Sequence, residues 1–70
     1  MIIIENKIAE LRKIQGITQK EMADRLSVSR QTIISLENGR YNPSIILAHK
    51  IAVMFGKSIE DVFIFDEERV

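Results

Sequence analysis

Apolar residues recur at three- and four-residue intervals along most of the chain, which is the spacing of helices that bury one face. The first such stretch follows Asn6, which can cap a helix. The second begins at Thr18, where Thr18 and Glu21 form a capping box. Later helices are expected to follow serines that can cap them, at Ser29, Ser44 and Ser58. The pattern therefore predicts five short helices.

The same spacing predicts which side chains form the core. The residues expected to face inward are Ile8, Leu11, Ile14, Met22, Ala23, Leu26, Ile33, Leu36, Leu47, Ala48, Ile51, Ala52 and Phe55. Glycines mark predicted helix ends, because glycine tolerates the left-handed backbone of a C-terminal turn. They are Gly16, Gly39 and Gly56.

Short runs of β-prone residues near the two ends, at positions 2–4 and 63–65, predict a two-stranded antiparallel ribbon. A chain of 70 residues is long enough for one domain with one small core. We therefore expect residues 1–70 to form a single all-α domain, with the helices at about 8–62 and the ribbon beside them.

The chain is neutral overall, but its charges divide into two blocks. Up to Lys57 there are nine Lys or Arg against five Asp or Glu, a balance of +4; from Ser58 onward there is one Arg against five acids, a balance of −4. A basic surface attracts the phosphates of nucleic acid, and an acidic surface is repelled by them. The first block therefore holds the candidate nucleic-acid face. The acids near the other end equally fit a role in solubility.

Several classes of site are not expected. The chain has no cysteine, and none of its apolar runs is long enough for a signal peptide or a membrane span. His49 stands alone, and the spacing of Asp61, Asp66, Glu67 and Glu68 matches no calcium loop. No nucleophile with a partnered base and no glycine-rich phosphate loop occurs. We expect no metal, cofactor, small-molecule ligand, membrane contact or enzymatic activity, and a cytoplasmic location.

The strongest signal is a set of spaced residues in the second and third helices. Ala23 is small where the helices cross, Val28 fills the turn between them, and Gln19 at the first helical position is expected to stay free. The set consists of Gln19, Ala23, Leu26, Val28, Ile33 and Leu36. It predicts two short helices joined by a tight turn.

With Ile33 and Leu36 inside, the third helix, from about Arg30 to Asn38, presents a hydrogen-bonding face outward. In the major groove of DNA, arginine can bind guanine and glutamine can bind adenine through two hydrogen bonds each. The outward residues are Arg30, Gln31, Ile34, Ser35 and Asn38. Ordinary surface residues are the alternative, and the surrounding spacing favours DNA binding.

The chain resembles the helix-turn-helix regulators of the phage repressor and Cro type, the XRE-like family. The resemblance is carried by residues 18–23 (TQKEMA), 28–33 (VSRQTI) and 36–40 (LENGR), and it extends over about 8–62. Asn42-Pro43-Ser44 and the strand-like ends are most similar to short stand-alone regulators resembling the bacterial cytolysin repressor. The resemblance implies a lambda-repressor-like fold of five helices with a small antiparallel sheet, assembled as a homodimer.

The resemblance also implies roles for individual residues. Base reading is implied for Arg30, Gln31 and Ser35. The residues placed near the sugar-phosphate backbone are Gln19, Ser29, Thr32, Asn38, Arg40, Tyr41 and Asn42. Arg12 and Glu37 are implied to form a buried, structural ion pair.

Two positions depart from the family pattern. Ser27 occupies the turn where the family usually has glycine, and a non-glycine residue in the left-handed region costs about 1 to 2 kcal/mol. Ile34 lies on the outward face, where a polar residue is commoner. It can touch a thymine methyl group or pack against the fourth helix, and packing is the favoured interpretation.

A few base contacts, each worth about 1 to 3 kcal/mol, discriminate poorly against roughly a million competing sites. A two-fold dimer on a near-palindrome solves this problem. Its expected surface is Ile59, Phe63, Ile64 and Phe65. The sequence thus predicts a transcriptional regulator that binds double-stranded DNA, acting as a repressor on an operator. The alternative is an antitoxin or other protein-binding module with the same fold.

Overall fold

Five helices and two short strands make up residues 3–65, which are the residues that the computed structural model describes. In chain order they are β1 (Ile3–Asn6), α1 (Ile8–Ile14), α2 (Gln19–Leu26), α3 (Arg30–Glu37), α4 (Ile45–Phe55), α5 (Ile59–Val62) and β2 (Phe63–Phe65). The predicted all-α class with a terminal ribbon is confirmed. Ile2 of the predicted strand and the acidic residues Asp66, Glu67 and Glu68 lie outside this range.

Four of the helices begin at the predicted caps, because each cap side chain accepts a backbone N–H that the helix itself leaves unpaired. The four cap residues are Thr18, Ser29, Ser44 and Ser58. The expectation for α1 is wrong, since its N-cap is Lys7 and makes no side-chain cap bond. Asn6 instead accepts the Ile8 N–H at 3.1 Å and donates its amide to the Leu36 carbonyl oxygen at 2.7 Å. Asn6 thus joins β1 to the last turn of α3.

Two capping boxes hold carboxylates in their charged form. The pKa of Glu21 is lowered from its ordinary value, chiefly because its carboxylate accepts the Thr18 backbone N–H and further through the Thr18 side chain. The pKa of Asp61 is lowered in the same way, first by the side chain of Ser58 and then by its backbone N–H. A carboxyl group with a lowered folded-state pKa stabilises the fold above its unfolded-state pKa, and this stabilisation is lost as pH falls through the folded-state pKa.

Replacing Glu21 with glutamine should make stability less sensitive to acid. Glutamine can accept the Thr18 N–H without titrating, so Glu21→Gln should lose less free energy of unfolding than the parent as pH falls below about 4.3, the ordinary pKa of glutamate. Urea unfolding across the acid range measures this difference. Glu10→Gln, at an exposed position of α1, is the matched control, and an acid loss equal in both variants would contradict the prediction.

The turn between α2 and α3 contains Ser27, the residue that stands where the family pattern has glycine. Ser27 ends α2 with φ 57° and ψ 42°, which is left-handed backbone, and it is the one non-glycine residue with positive φ among the described residues. The turn is closed by the Val28 N–H, which donates to the Ala23 carbonyl oxygen at 3.0 Å. The chain therefore adopts the turn geometry that glycine usually provides, with the strain that a side chain adds.

The ribbon is antiparallel, and it differs from the predicted one at its first strand. β1 continues to Asn6 instead of ending at residue 4, because Glu5 pairs with Ile64 and Asn6 pairs with Phe63. Glutamate and asparagine have low strand propensity, but backbone pairing with β2 overrides that preference here. An irregularity lies between Ile3 and Glu5.

The core contains most of the residues predicted to face inward, together with Ile17, Val62 and Phe63. Leu11 and Leu47 are partly buried against it. Ile14 was expected inside but is 75% exposed. At 100° per residue it lies about 120° around the helix from Ile8, so it cannot share the buried side. In residues 3–65 no helix is long and apolar enough to cross a bilayer.

Candidate nucleic-acid interface

The two helices α2 and α3 and the turn between them are held in place because their apolar side chains pack into the core. Met22, Ala23 and Leu26 of α2 and Ile33 and Leu36 of α3 are all buried in the common core. Val28, in the turn, is partly buried against the same core. Because this side of α3 is buried in the core, the residues on the opposite side of the helix face solvent in a fixed orientation.

The outward side of α3 carries the residues expected to read bases. Arg30 and Gln31 are exposed, Ser35 is half-buried, and Ile34 is also half-buried. Ser29 caps the helix by accepting the Thr32 N–H at 3.1 Å, and the two hydroxyl oxygens lie 2.9 Å apart. The hydroxyls of Ser29 and Thr32 are thus partnered with each other at the start of α3.

A shallow depression of about 280 Å³ lies beside α3. It gathers five residues of the predicted site, Gln31, Thr32, Ser35, Arg40 and Tyr41. Arg40 and Tyr41 are exposed in the segment after the helix. The structure therefore brings together residues predicted for base reading and residues predicted for backbone contact. Asn42 is exposed but does not line this depression.

A second, larger depression of about 580 Å³ lies at the start of α2 and α3. Its basic lining residues are Arg12, Lys13, Lys20 and Arg30, and no acidic residue lines it. Asn38 lies elsewhere, in a depression shared with Glu5 and Glu37. The basic depression is suited to phosphate, whereas the surroundings of Asn38 include two carboxylates.

The predicted ion pair between Arg12 and Glu37 is present. The Arg12 Nε atom donates to Glu37 Oε2 at 2.7 Å, and Nη2 donates to Oε1 at 3.3 Å. The third guanidinium nitrogen, Nη1, donates to the Ile17 carbonyl oxygen at 3.0 Å. The side chains are 12% and 8% exposed, respectively. This bidentate ion pair is largely shielded from water, and it joins α1 to the end of α3.

Gln19 is not free, which corrects the sequence-based expectation. Its Nε2 atom donates to Glu37 Oε1 at 3.0 Å, and its Oε1 atom accepts from Arg30 Nη2 at 3.5 Å. The spacing that placed Gln19 at the first turn of α2 could not reveal a partner 18 residues away. The amide is thus already engaged on both sides before any DNA is present.

The structure also changes which residues can form the predicted dimer surface. Phe63 is 1% exposed and belongs to the core of its own chain, so it has no surface to offer a partner. It is buried because it begins β2 directly after α5 and pairs with Asn6. Ile64 is 40% exposed, while Ile59 and Phe65 are partly buried against the core. Three of the four predicted residues therefore retain exposed area.

Three apolar residues of α4 are exposed, and the sequence patterns did not predict it. Ile45, Ile46 and Val53 are 79%, 66% and 61% exposed on α4. Their signal in the sequence was that Ile46 and Val53 lie on the side of α4 opposite its buried stripe, whereas Ile45 lies beside that stripe in the first turn. His49 is exposed on the same helix, and the described residues contain no cluster of side chains able to hold a metal ion.

Comparison with known proteins assigns the family. The family model described as helix-turn-helix matches residues 8–62. An HTH-type transcriptional regulator of Methanothermobacter thermautotrophicus is 60% identical over 62 residues, covering 87% of this chain and 90% of the relative. An HTH-type transcriptional regulator of Archaeoglobus fulgidus is 51% identical over 67 residues, covering 96% of this chain and 94% of the relative.

A solved structure supports the fold. The restriction-modification controller protein of Aeromonas hydrophila superposes with a TM-score of 0.71 at 24% identity, covering 79% of this chain and 83% of the other. At that identity the likeness concerns the fold alone. The matched family model and the similar regulators show that the chain belongs to the XRE-like helix-turn-helix family of DNA-binding transcriptional regulators.

Proposed function

We propose that this regulator is a cytoplasmic repressor without catalytic activity, which binds a palindromic operator as a homodimer and reads bases through α3 in the major groove. One observation carries the proposal. The inward side of α3 is fixed in the core, while Arg30 and Gln31 project into solvent at its first turn. These two side chain types can make bidentate contacts with guanine and adenine.

The surrounding residues support the same orientation. The basic depression adds Lys13 and Lys20 beside Arg30, and the smaller one adds Arg40 and Tyr41 beside Gln31. Contacts from these residues to phosphates on either side would fix the register of α3 without specifying sequence. Ser29, Thr32 and Asn42 remain in the proposed backbone-contacting set. Asn38 is its weakest member because of the carboxylates beside it.

A homodimer follows from the size of the reading surface. One chain offers Arg30, Gln31 and Ser35, and three base contacts specify too short a sequence to be rare in a genome. The proposed contact surface is Ile59, Ile64 and Phe65, without Phe63. A two-fold pair would place two α3 helices about 34 to 36 Å apart, one turn of DNA. Repression then requires only that the dimer occupies the operator.

Replacing Gln31 with alanine should weaken discrimination at one base pair of each half-site by about 1 to 3 kcal/mol. Arg40→Ala is the matched comparison, because loss of a phosphate contact should weaken binding to all sequences alike and reduce the salt slope by about 1. Fluorescence anisotropy with operator variants at two salt concentrations measures both effects. Equal losses on every sequence for Gln31→Ala would refute its base-reading role.

A second candidate function, a protein-binding module of the antitoxin type, is favoured by the exposed apolar residues Ile45, Ile46 and Val53 on α4. A stoichiometric complex with a fixed partner, abolished by Ile46→Lys together with Val53→Lys, would favour that function. Operator binding unaffected by the same double substitution would favour the regulator.

A further inference from the structure

A groove of about 320 Å³ lies between α2 and α4, outside the surfaces proposed for DNA and for a second subunit. It is lined by the last turn of α2 and the middle and end of α4, with the residues Arg25, Leu26, His49, Lys50, Val53 and Met54. None of these residues lines either basic or base-reading depression beside α3. None belongs to the proposed dimer surface of Ile59, Ile64 and Phe65. The groove is therefore a third, separate surface.

The floor of the groove is apolar. Leu26 is 7% exposed and Met54 is half-buried, while Val53 is 61% exposed beside them. Ile46, which is 66% exposed, precedes Val53 by seven residues, so the two side chains lie on one side of α4 about 10 Å apart. Apolar residues spaced over two turns beside a groove match the recognition mode in which an amphipathic helix lays its apolar side into the groove.

The rim of the groove is basic. Arg25, His49 and Lys50 line it, and among the described residues no acidic side chain does. Neither Arg25 nor Lys50 forms an ion pair in the part of the chain that the structure describes. The two carboxylates of α2, those of Glu21 and Asp24, bond instead to residues at the start of that helix. The groove thus complements a ligand that is apolar on one side and negatively charged beside it.

We infer that the groove between α2 and α4 docks an acidic amphipathic helix of a second protein. Its apolar side chains cover Leu26, Val53 and Met54, and its carboxylates meet Arg25 and Lys50. DNA fits this surface less well, because a phosphate gains nothing from an apolar floor. The inference goes beyond the proposed function, since such a partner binds the regulator while α3 occupies the operator.

The first experiment titrates the isotope-labelled full chain with a synthetic peptide and follows its backbone amides by NMR. The probe is a helical peptide of about 14 residues, a length at which helices become stable in water. It carries leucine along one side and glutamate elsewhere. The amides of the groove residues should shift, and binding should weaken as salt is raised. A peptide with lysine in place of glutamate should not bind.

Charge reversal at two lysines of α4 and the following turn makes the result specific to the groove. Lys50→Glu should weaken binding of the acidic peptide about three- to tenfold, because an attraction is replaced by a repulsion. Lys57→Glu, at an exposed position that does not line the groove, is the matched control and should leave peptide affinity unchanged. Val53→Ser should weaken binding about threefold through lost apolar contact. All three variants should keep the parent's affinity for operator DNA.

Four results would overturn the inference. They are the absence of binding by the acidic peptide, equal losses for Lys50→Glu and Lys57→Glu, displacement of the peptide by operator DNA, and groove amides that shift with protein concentration alone, which would assign the groove to a second copy. A further variant tests the acids of this chain itself. If Asp66→Asn, Glu67→Gln and Glu68→Gln together shift the groove amides without peptide, the groove holds this chain's own acidic segment and not a partner.

Discussion

Replacing Glu37 with alanine should lower the free energy of unfolding by about 3 kcal/mol, the lower end of the cost of removing one partner of a buried ion pair, because this pair is only partly buried. Arg12 would keep its bond to the Ile17 carbonyl oxygen but lose both carboxylate bonds, at a side-chain exposure of 12%. The loss is large for a domain this small. Urea unfolding followed by circular dichroism at fixed protein concentration measures it.

Two comparisons make the result specific to the ion pair. Glu10→Ala removes an exposed carboxylate from α1 and should change stability by less than about 0.5 kcal/mol. Arg12→Met combined with Glu37→Leu removes both charges and should recover much of the loss, because apolar residues can replace a buried pair. A Glu37→Ala protein as stable as Glu10→Ala would contradict the account.

Replacing Phe63 with alanine should cost about 3 to 5 kcal/mol of protomer stability, as for a large aromatic side chain removed from a core. Phe63 is 1% exposed and is among the largest fully buried side chains. The loss should persist at protein concentrations where the chain is monomeric. Chemical unfolding across a dilution series measures this independence.

Ile64→Asp tests the neighbouring surface. Unlike Phe63→Ala, it should affect self-association more than the stability of the protomer. Ile64 is 40% exposed on β2, so the monomer should stay folded with aspartate there, losing up to about 1 kcal/mol because the new carboxylate lies opposite Glu5. A charge placed in the proposed contact surface should instead weaken self-association, which analytical ultracentrifugation measures. Self-association unchanged by Ile64→Asp, or Phe63→Ala acting only through dimerisation, would contradict the division between core and interface.

The parts of the fold that depend on nearby residues could be predicted from the sequence. The capping box of Thr18 and Glu21 spans three positions, and the buried positions of α2 and α3 follow from helical geometry alone. The ribbon was predicted from two β-prone runs, and among the described residues only the end of its first strand was wrong. Residues close together in the sequence determine these features, so short sequence patterns were enough to predict them.

The parts that depend on contacts distant in sequence could not be predicted in this way. The bond from Asn6 to Leu36 joins residues 30 positions apart, and the bond from Gln19 to Glu37 joins residues 18 positions apart. Asn6 was expected to cap its own helix, and Gln19 was expected to stay free to contact DNA. Phe63 was expected at a surface because a short ribbon gives no sequence signal for which side of it is buried.

The sequence predicted which residues belong to the candidate site better than it predicted how they contact one another. Gln31, Ser35, Arg40 and Tyr41 meet at one depression beside α3. The link from Gln19 to Arg30 became visible only when the side chains were placed. It means that a residue assigned to the DNA backbone and a residue assigned to the bases belong to one hydrogen-bonded unit.

Selection of bound DNA from a random pool, sequenced after rounds at two salt concentrations, tests directly whether the chain binds a specific sequence as a two-fold dimer. A sequence-specific dimer should enrich one palindrome whose half-sites are centred about 10 base pairs apart, with the same preferred bases at both salt concentrations. Enrichment of no sequence, or binding that disappears uniformly as salt is raised, would contradict it.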